Sequence, residues 1–320
     1  MMKKLKEIKK QLKNFEYIDC PLCWESYKNS MTLYKTCRGL SDHKRICKKC
    51  WLIYKSPRRT EADNNRFYDE FYISHYMSHY KKFFNDWFGW QKSHFECWYI
   101  RKQEISLFSD EIKKAKKIIE IWCASGGVLK ALSEINPNCY WIDIDYSSIE
   151  YAKKQWINVE YKSLFDVENN TYDFALMSHV VEHLLNPDIF LKKVNNILTE
   201  GWLLLIFVPD SYICCEWPEV PHTFCFSDQT LISMITKNGF TVKRNILSDK
   251  RPKYFKNDII ILFQKSPNAQ WEKTHYTHRL YIRTNILKFK ALLFTILIRI
   301  LEITKTKELI KKIFIRNHKK

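Results

Sequence analysis

The stretch Lys116-Lys-Ile-Ile-Glu120-Ile-Trp122-Cys-Ala124-Ser-Gly126-Gly-Val-Leu-Lys-Ala-Leu-Ser-Glu134 decides how the chain is read. An apolar run from Ile118 to Cys123 ends in a turn of small residues, and Val128, Leu129 and Leu132 then share one helical face. The pattern is strand, tight loop, helix. Such a loop turns unpaired backbone N–H groups toward a ligand, the usual way an α/β sheet holds a nucleotide-like group. Downstream, Tyr140-Trp-Ile-Asp143-Ile-Asp145 reads as a second strand with a carboxylate at its tip, placed to accept hydrogen bonds from ribose hydroxyls. The two segments together are built to hold an adenosine.

Working outward, the strands expected are Ile118 to Cys123, Cys139 to Ile144, Val159 to Lys162, Tyr172 to Met177, Trp202 to Val208, Phe240 to Asn245 and Asp258 to Phe263. Helical patterns separate the first five. The fold class is therefore α/β, a doubly wound, mostly parallel seven-stranded Rossmann-like sheet. The last two strands, joined without a helix, form an antiparallel edge hairpin. Residues 116–265 make this domain. Before it come a basic helix and a metal ribbon (1–56) and an aromatic-rich helical linker or lid (57–115). Basic amphipathic helices (266–320) follow.

In the first segment, Cys20-Pro-Leu-Cys23 and Cys47-Lys-Lys-Cys50 form two C-x-x-C knuckles. Their spacing lets four thiolates wrap tetrahedrally around a structural Zn²⁺, which a short segment with little core needs in order to fold. Cys37 and His43 lie between the knuckles as competing ligands. A redox role is the weaker reading, because neither knuckle opens a helix in a thioredoxin-like pattern. In the second segment Phe67, Tyr68, Phe71, Tyr72, Tyr76, Tyr80, Phe83 and Phe84 recur at helical spacing, which reads first as packing. Tyr72 and Tyr76 are the members to watch as site residues.

At 320 residues, 46% hydrophobic and 28% charged, the composition excludes a disordered chain. The net charge of +18 suits nucleic acid, an anionic membrane surface or phosphorylated substrates, but lysine bias in an Ile- and Asn-rich chain accounts for it as well. The charged N-terminus lacks the apolar core of a signal peptide, and eleven cysteines without an export signal are expected to stay reduced, so a cytoplasmic protein is expected. Residues 286–303 are apolar but include Lys288, Lys290, Arg299 and Glu302, too much charge for a membrane span. Ile286, Phe289, Leu293, Ile296, Leu297 and Ile300 share a helical face, which docks on the domain, contacts a second copy or lies peripherally on a membrane.

The series Glu120 to Gly126, Trp141-Ile-Asp143, Tyr172-Asp-Phe-Ala-Leu-Met-Ser178-His179-Val-Val-Glu182-His183-Leu184, Asn186-Pro187 and Gly201 to Pro209 resembles the class I S-adenosylmethionine-dependent methyltransferases over about 150 residues. The four-cysteine ribbon followed by a tyrosine-rich helix is similar to the subgroup related to sugar C-methyltransferases. The resemblance implies that Glu120, Trp122, Ala124 and Gly126 hold the methionine end of S-adenosylmethionine. It gives Asp143 the ribose and Asp166 the adenine amine, and has Ser178 and His179 close the site. It implies methyl transfer to a small-molecule or glycan-linked acceptor, with His222 as general base where the relatives carry an active-site histidine. Those relatives have an acidic residue before it and this chain has Pro221. His179 and Glu182 complete the catalytic set. H-x-x-E-H is also an inverted-zincin pattern, but it begins where a strand ends, which puts His179 in a turn, and no distant third ligand is evident. An RNA methyltransferase using ribbon and basic surface is the alternative, as is a catalytically dead binding protein.

One compositional anomaly remains. Glycine numbers 6 where average usage of about 7% would give roughly 22, while tryptophan numbers 11. Trp24 and Trp51 each follow the second cysteine of a knuckle. Trp122 stands at the first glycine position of the cofactor loop, Trp141 precedes the ribose aspartate, and Trp202 follows Gly201. An indole supplies neither positive φ nor close backbone approach. A decoding origin is expected, with UGA read as glycine in the source and translated as tryptophan; a genuine Trp122 would instead obstruct the cofactor loop.

Overall fold

The computed structural model describes residues 10–37, 40–73, 75, 77, 86–96, 98–157, 159–210, 220–246 and 258–274, with 285, 286, 289, 293 and 296. Tyr76, Tyr80, Phe83, Phe84, Leu297, Ile300 and the side chain of Cys37 lie outside the described residues.

The N-terminal segment contributes β1 (Phe15–Glu16), β2 (Ser30–Cys37), β3 (Leu40–Cys47), β4 (Ile53–Lys55) and β5 (Arg58–Arg59). β2, β3 and β4 form an antiparallel meander, and β1 pairs with β5. Helix α1 (Glu61–Arg66) starts where the Thr60 hydroxyl accepts from the Asp63 N–H. It runs on through a π-helical turn, Phe67–Phe71. Phe67 and Phe71 are buried against Leu12, Leu40 and Val220, so these two aromatics pack, as their spacing suggests. Helices α2 (Trp87–Glu96), α3 (Trp98–Ser106) and α4 (Ser109–Lys114) lead into the main sheet.

That sheet consists of β6 (Ile118–Ile121), β7 (Cys139–Asp143), β8 (Glu160–Tyr161), β9 (Tyr172–Ser178), β10 (Leu198–Pro209), β12 (Phe240–Ile246) and β13 (Asp258–Lys265), with β11 (Phe224–Cys225) elsewhere. Its order is β12-β13-β10-β9-β6-β7-β8. The first five strands in sequence are parallel, and β13 enters antiparallel between β10 and β12, so the hairpin is present with β12 as the edge. Helices α5 (Gly127–Ser133), α6 (Tyr146–Lys154), α7 (Pro187–Ile197) and α8 (Asp228–Thr236) cover the faces. Alternate residues of each strand serve opposite cores: Ile119, Ala175 and Leu204 point to one, Ile118, Phe174 and Leu203 to the other.

Two features tie the N-terminal segment to the rest of the chain. The two-residue strand β11 does not join the main sheet; it pairs antiparallel with β4, Phe224 opposite Tyr54 and Cys225 opposite Ile53. Cys20, Cys47 and Cys50 pack into the same core cluster as Ile119 and Ile121, so the ribbon shares a core with the sheet. At the C-terminal side, Ile286, Phe289, Leu293 and Ile296 are each 44–61% exposed, so docking on the chain's own domain is not seen at these four positions. Among the described residues no helix is long and apolar enough to cross a membrane.

The backbone places Trp24 (φ 57°), Trp51 (φ 64°), Trp122 (φ 60°) and Trp156 (φ 62°) in the left-handed region. Trp141 and Trp202 do not share it; both lie within strands, where a side chain is accommodated.

Candidate active site and metal centre

The four knuckle sulfurs converge. Cys20 Sγ lies 3.4 Å from Cys50 Sγ, Cys23 Sγ lies 3.6 Å from Cys47 Sγ, and all four fall within 4.8 Å of one another. Zn–S bonds of about 2.3 Å in a tetrahedron demand S···S edges of roughly 3.8 Å, so this donor set fits zinc. His43 is not part of the group among the described residues. The two knuckles have the same turn: the N–H of Trp24 donates to the Cys20 carbonyl (2.8 Å) and that of Trp51 to the Cys47 carbonyl (3.0 Å).

The cofactor loop leaves β6 at Ile121 and passes through Trp122, Ala124 (φ 46°) and Gly126 (φ 79°), all left-handed, before α5. Gly127 opens that helix because α2 crosses it closely: a Cβ there would meet the His94 carbonyl oxygen at 2.9 Å. The Trp122 ring packs edge-on against Phe190, which in turn meets Phe165, the neighbour of Asp166. Asp166 itself is exposed at the end of a single 3₁₀ turn.

Asp143 braces the loop, a role the sequence did not reveal. Its carboxylate accepts from the N–H groups of Ala124 (2.8 Å), Ile144 (2.7 Å) and Asp145 (2.8 Å). Burial nonetheless pushes its pKa up to about 6, the backbone donors opposing. Glu120 is 2% exposed, and burial, reinforced by Asp143, raises it well above the carboxylate range. Its Oε2 has no hydrogen-bond partner. An orphan buried carboxyl oxygen beside a left-handed loop fits the cationic methionine end of S-adenosylmethionine.

Next to β6 in the sheet, β9 ends at Ser178, and the chain turns at His179 (φ 57°) into a 3₁₀ turn, Val181–His183. His179 thus lies in the turn, as the sequence implied, but Glu182 and His183 do not begin an α-helix; α7 starts at Pro187. His179 is clamped between Glu182 (Nδ1 to Oε1, 3.4 Å) and Asp258 (Nε2 to Oδ2, 3.4 Å). Desolvation lowers its pKa, but Asp258 and then Glu182 outweigh that and push it up to about 10. A protonated imidazole has no free lone pair with which to accept a proton, which sets His179 apart from His222.

His222 is the contrary case. Burial, then the neighbouring His183, Lys44, His179 and Lys55, holds it well below the usual histidine value, so it is neutral. Its ring meets that of His183 edge-on at 4.8 Å, and the Tyr68 hydroxyl is 3.1 Å from His183 Nδ1. His183, also lowered by burial, joins Glu182 and His222 as a group with ligand atoms within 4.8 Å of one another, so a distant segment does supply a third member beside the E-H pair. The ribbon holds this loop in place. Lys44 donates from Nζ to the His222 carbonyl and Lys55 to that of Val220. The Lys55 N–H donates to the Thr223 carbonyl (3.0 Å), and the Thr223 N–H to that of Glu182 (2.7 Å). Sequence reasoning missed Lys44 and Lys55, noticed His183 only as the last residue of the discounted H-x-x-E-H pattern, and placed Tyr68 only among packing aromatics; for Lys44 and Lys55 the reason is plain. No local pattern marks them.

Residues 97–245 match the methyltransferase-domain family model. The chain is similar to (S)-tetrahydroprotoberberine N-methyltransferase from Eschscholzia californica, 25% identical over 167 residues, 48% of this chain and 44% of that protein. It is also similar to the ubiquinone biosynthesis O-methyltransferase of Pelagibacter ubique (strain HTCC1062), 25% identical over 119 residues, 34% of this chain and 50% of that protein. The chain thus spans half or less of the length of these curated relatives. A SAM-dependent methyltransferase structure from Archaeoglobus fulgidus covers 59% of this chain and 99% of its own at 17% identity and a TM-score of 0.45. The domain match, the order of the seven strands and the converging thiols lead to one statement: this chain has a class I S-adenosylmethionine-dependent methyltransferase fold with a candidate N-terminal four-cysteine metal site.

Proposed function

We propose that the chain transfers a methyl group from S-adenosylmethionine to a small-molecule or glycan-linked acceptor, with His222 taking the acceptor's proton. The observation that carries this is a neutral imidazole beside the carboxyl end of β9, next to the strand that bears the cofactor loop. Strand order reverses between β6 and β9, the place where open α/β sheets bind ligands.

Bound S-adenosylmethionine supplies an already activated methyl group. The chain's residues have the remaining work: Glu120 and Ala124 to Gly126 to seat the methionine end, Asp143 and Asp166 to hold ribose and adenine, and Ser178 to close the site. Alignment of acceptor and cofactor then provides most of the acceleration, and His222 adds general-base catalysis. The two relatives are named for a tetrahydroprotoberberine and for ubiquinone biosynthesis, which supports a small acceptor. The ribbon followed by a tyrosine-bearing helix supports the sugar C-methyltransferase-related subgroup.

The test is titration with S-adenosylmethionine, followed by turnover on nucleotide sugars and small amines, phenols and alcohols. His222→Gln should bind the cofactor unchanged and lose about 10²–10⁴-fold in kcat; unchanged turnover would remove His222 from the mechanism. Steep salt-dependent binding to RNA with methylation of it would move the acceptor to the alternative class. A second reading is favoured by Glu182, 1% exposed, whose Oε1 meets His179 at 3.4 Å and whose Oε2 has no hydrogen-bond partner. In it Glu182, His183 and His222 hold a divalent cation that polarises the acceptor. Activity abolished by chelation while the ribbon's metal is retained would select that reading over the free base.

A further inference from the structure

We infer that residues 24, 51, 122 and 156 are glycines in the protein as its own cell makes it, and that the tryptophans written there come from reading UGA codons with the wrong table. All eleven tryptophans but Trp217 lie among the described residues, and four of those are left-handed. A few per cent of non-glycine residues have positive φ, and for bulky ones it is a genuine outlier, so ten tryptophans should supply fewer than about one. The other non-glycine residues in this region, among the described residues, are Ala124, Asn170 and His179, and Asn and His are the types that tolerate it best.

Each of the four sites is a place where the backbone requires glycine. Trp24 and Trp51 close the same five-residue turn after the second cysteine of each knuckle. Trp122 begins the cofactor loop directly after β6. Trp156, which no motif marks, stands just beyond the end of α6. There the N–H of Ile157 donates to the Ala152 carbonyl (3.2 Å) and that of Trp156 to the Lys153 carbonyl (3.0 Å). This is the Schellman pairing, whose left-handed residue is most often glycine.

The indoles share no purpose that would offset the strain. Trp24 lies beneath the Lys237 ammonium at 4.2 Å, Trp51 is buried, and Trp122 packs on Phe190. Trp156 is 98% exposed and so gains no burial. Backbone need is the one property the four positions have in common. UGA is the codon that some genetic codes assign to tryptophan and others to glycine, so a single misassignment writes tryptophan at glycine positions and leaves the rest of the chain intact. The same cause removes part of the shortage of glycine, 6 in 320 residues.

The experiment is tandem mass spectrometry of the protein purified from its native cells, reading the peptides that contain positions 24, 51, 122 and 156 beside the codons of the gene. Glycine at all four, encoded by UGA, is the expected result. Tryptophan at any of the four in those peptides, or UGG codons there, overturns the inference. The outcome is independent of whether the protein methylates anything.

Discussion

Removing the ribbon's metal should silence the active site while leaving cofactor binding largely in place. Structural Zn²⁺ contributes about 10–16 kcal/mol in small zinc modules, as much as the roughly 5–15 kcal/mol that holds a whole domain together. Without it the β2–β3–β4 meander keeps the small cluster around Ile46, Trp51 and Ile53 and the contacts of Leu52 and Tyr54 with the main core, but loses the link that joins its two knuckles. That meander is what fixes His222. Two buried ammonium groups, Lys44 and Lys55, donate to the carbonyls of His222 and Val220, and β4 pairs with β11 immediately after. At about 1.5–3 kcal/mol for each charged bond and about 1 for each neutral one, the tether is worth roughly 4–8 kcal/mol. Losing even 4 of these would lower the population of the ordered loop, and with it kcat, by on the order of 10³-fold. Ala124 and Asp143 are bonded to each other and not to the ribbon, so affinity for S-adenosylmethionine should change far less. The assay compares metal content, titration with S-adenosylmethionine and turnover before and after chelation, and again after zinc is restored; Cys23→Ser supplies an independent route to the same state. Metal-free protein that turns over at the original rate would refute the reasoning, because it would show that the His222 loop is ordered without the ribbon.

Asp143→Asn replaces an acceptor that faces the Ala124 N–H, at a cost of about 1–3 kcal/mol, and should weaken S-adenosylmethionine binding roughly 10- to 100-fold by calorimetry. Burial pushes the Asp143 pKa up to about 6; if, as proposed, its ionised form accepts from the ribose hydroxyls as well as from the loop, affinity should fall as pH drops through 6 in the parent and stay flat in the variant. For His179 the folded value, about 10, lies above the unfolded 6.5, so its contribution to stability is complete below pH 6.5 and is lost as pH rises through 10. Asp258→Asn should therefore lower the melting temperature at pH 6 and converge on the parent near pH 10; a deficit that does not shrink with pH would count against the clamp. In recombinant protein made with tryptophan at 156, Trp156→Gly relieves a left-handed backbone at an exposed site and should raise stability by about 1 kcal/mol in denaturant titrations, whereas Trp156→Ala should not.

The sheet was legible because each of its elements is marked locally. Strands β6, β7, β9 and β13 were placed to within two residues at each end, since alternation of apolar runs and helical patterns is a short-range property. β10 was recognised from Trp202 onward and begins earlier, at Leu198, because Gly201 and the polar Thr199 and Glu200 mask its first residues. The knuckles were equally plain, two cysteine pairs at fixed spacing. What escaped were residues whose meaning depends on a distant partner, such as Lys44 and Lys55 on ordinary strands of the ribbon.

The reason lies in one pairing. β11 is two residues long, too short for any periodicity, and its partner β4 is on the far side of the whole first half of the sheet. Lys44 and the carbonyl it meets are 178 residues apart, and Lys55 and its carbonyl 165. A two-stranded contact of this kind is stable only as part of a larger sheet with a buried face, and the ribbon supplies that sheet. The His222 loop is thus ordered by hydrogen bonds from ribbon strands, whereas Asp143 braces the cofactor loop from β7. On the proposed reading, cofactor binding leans on β7 and its carboxylate and acceptor deprotonation on hydrogen bonds from the meander, two separate sets of bonds although ribbon and sheet share a core. That separation is why the loss of metal should divide kcat from cofactor affinity, whereas damage to Asp143 should lower the affinity first.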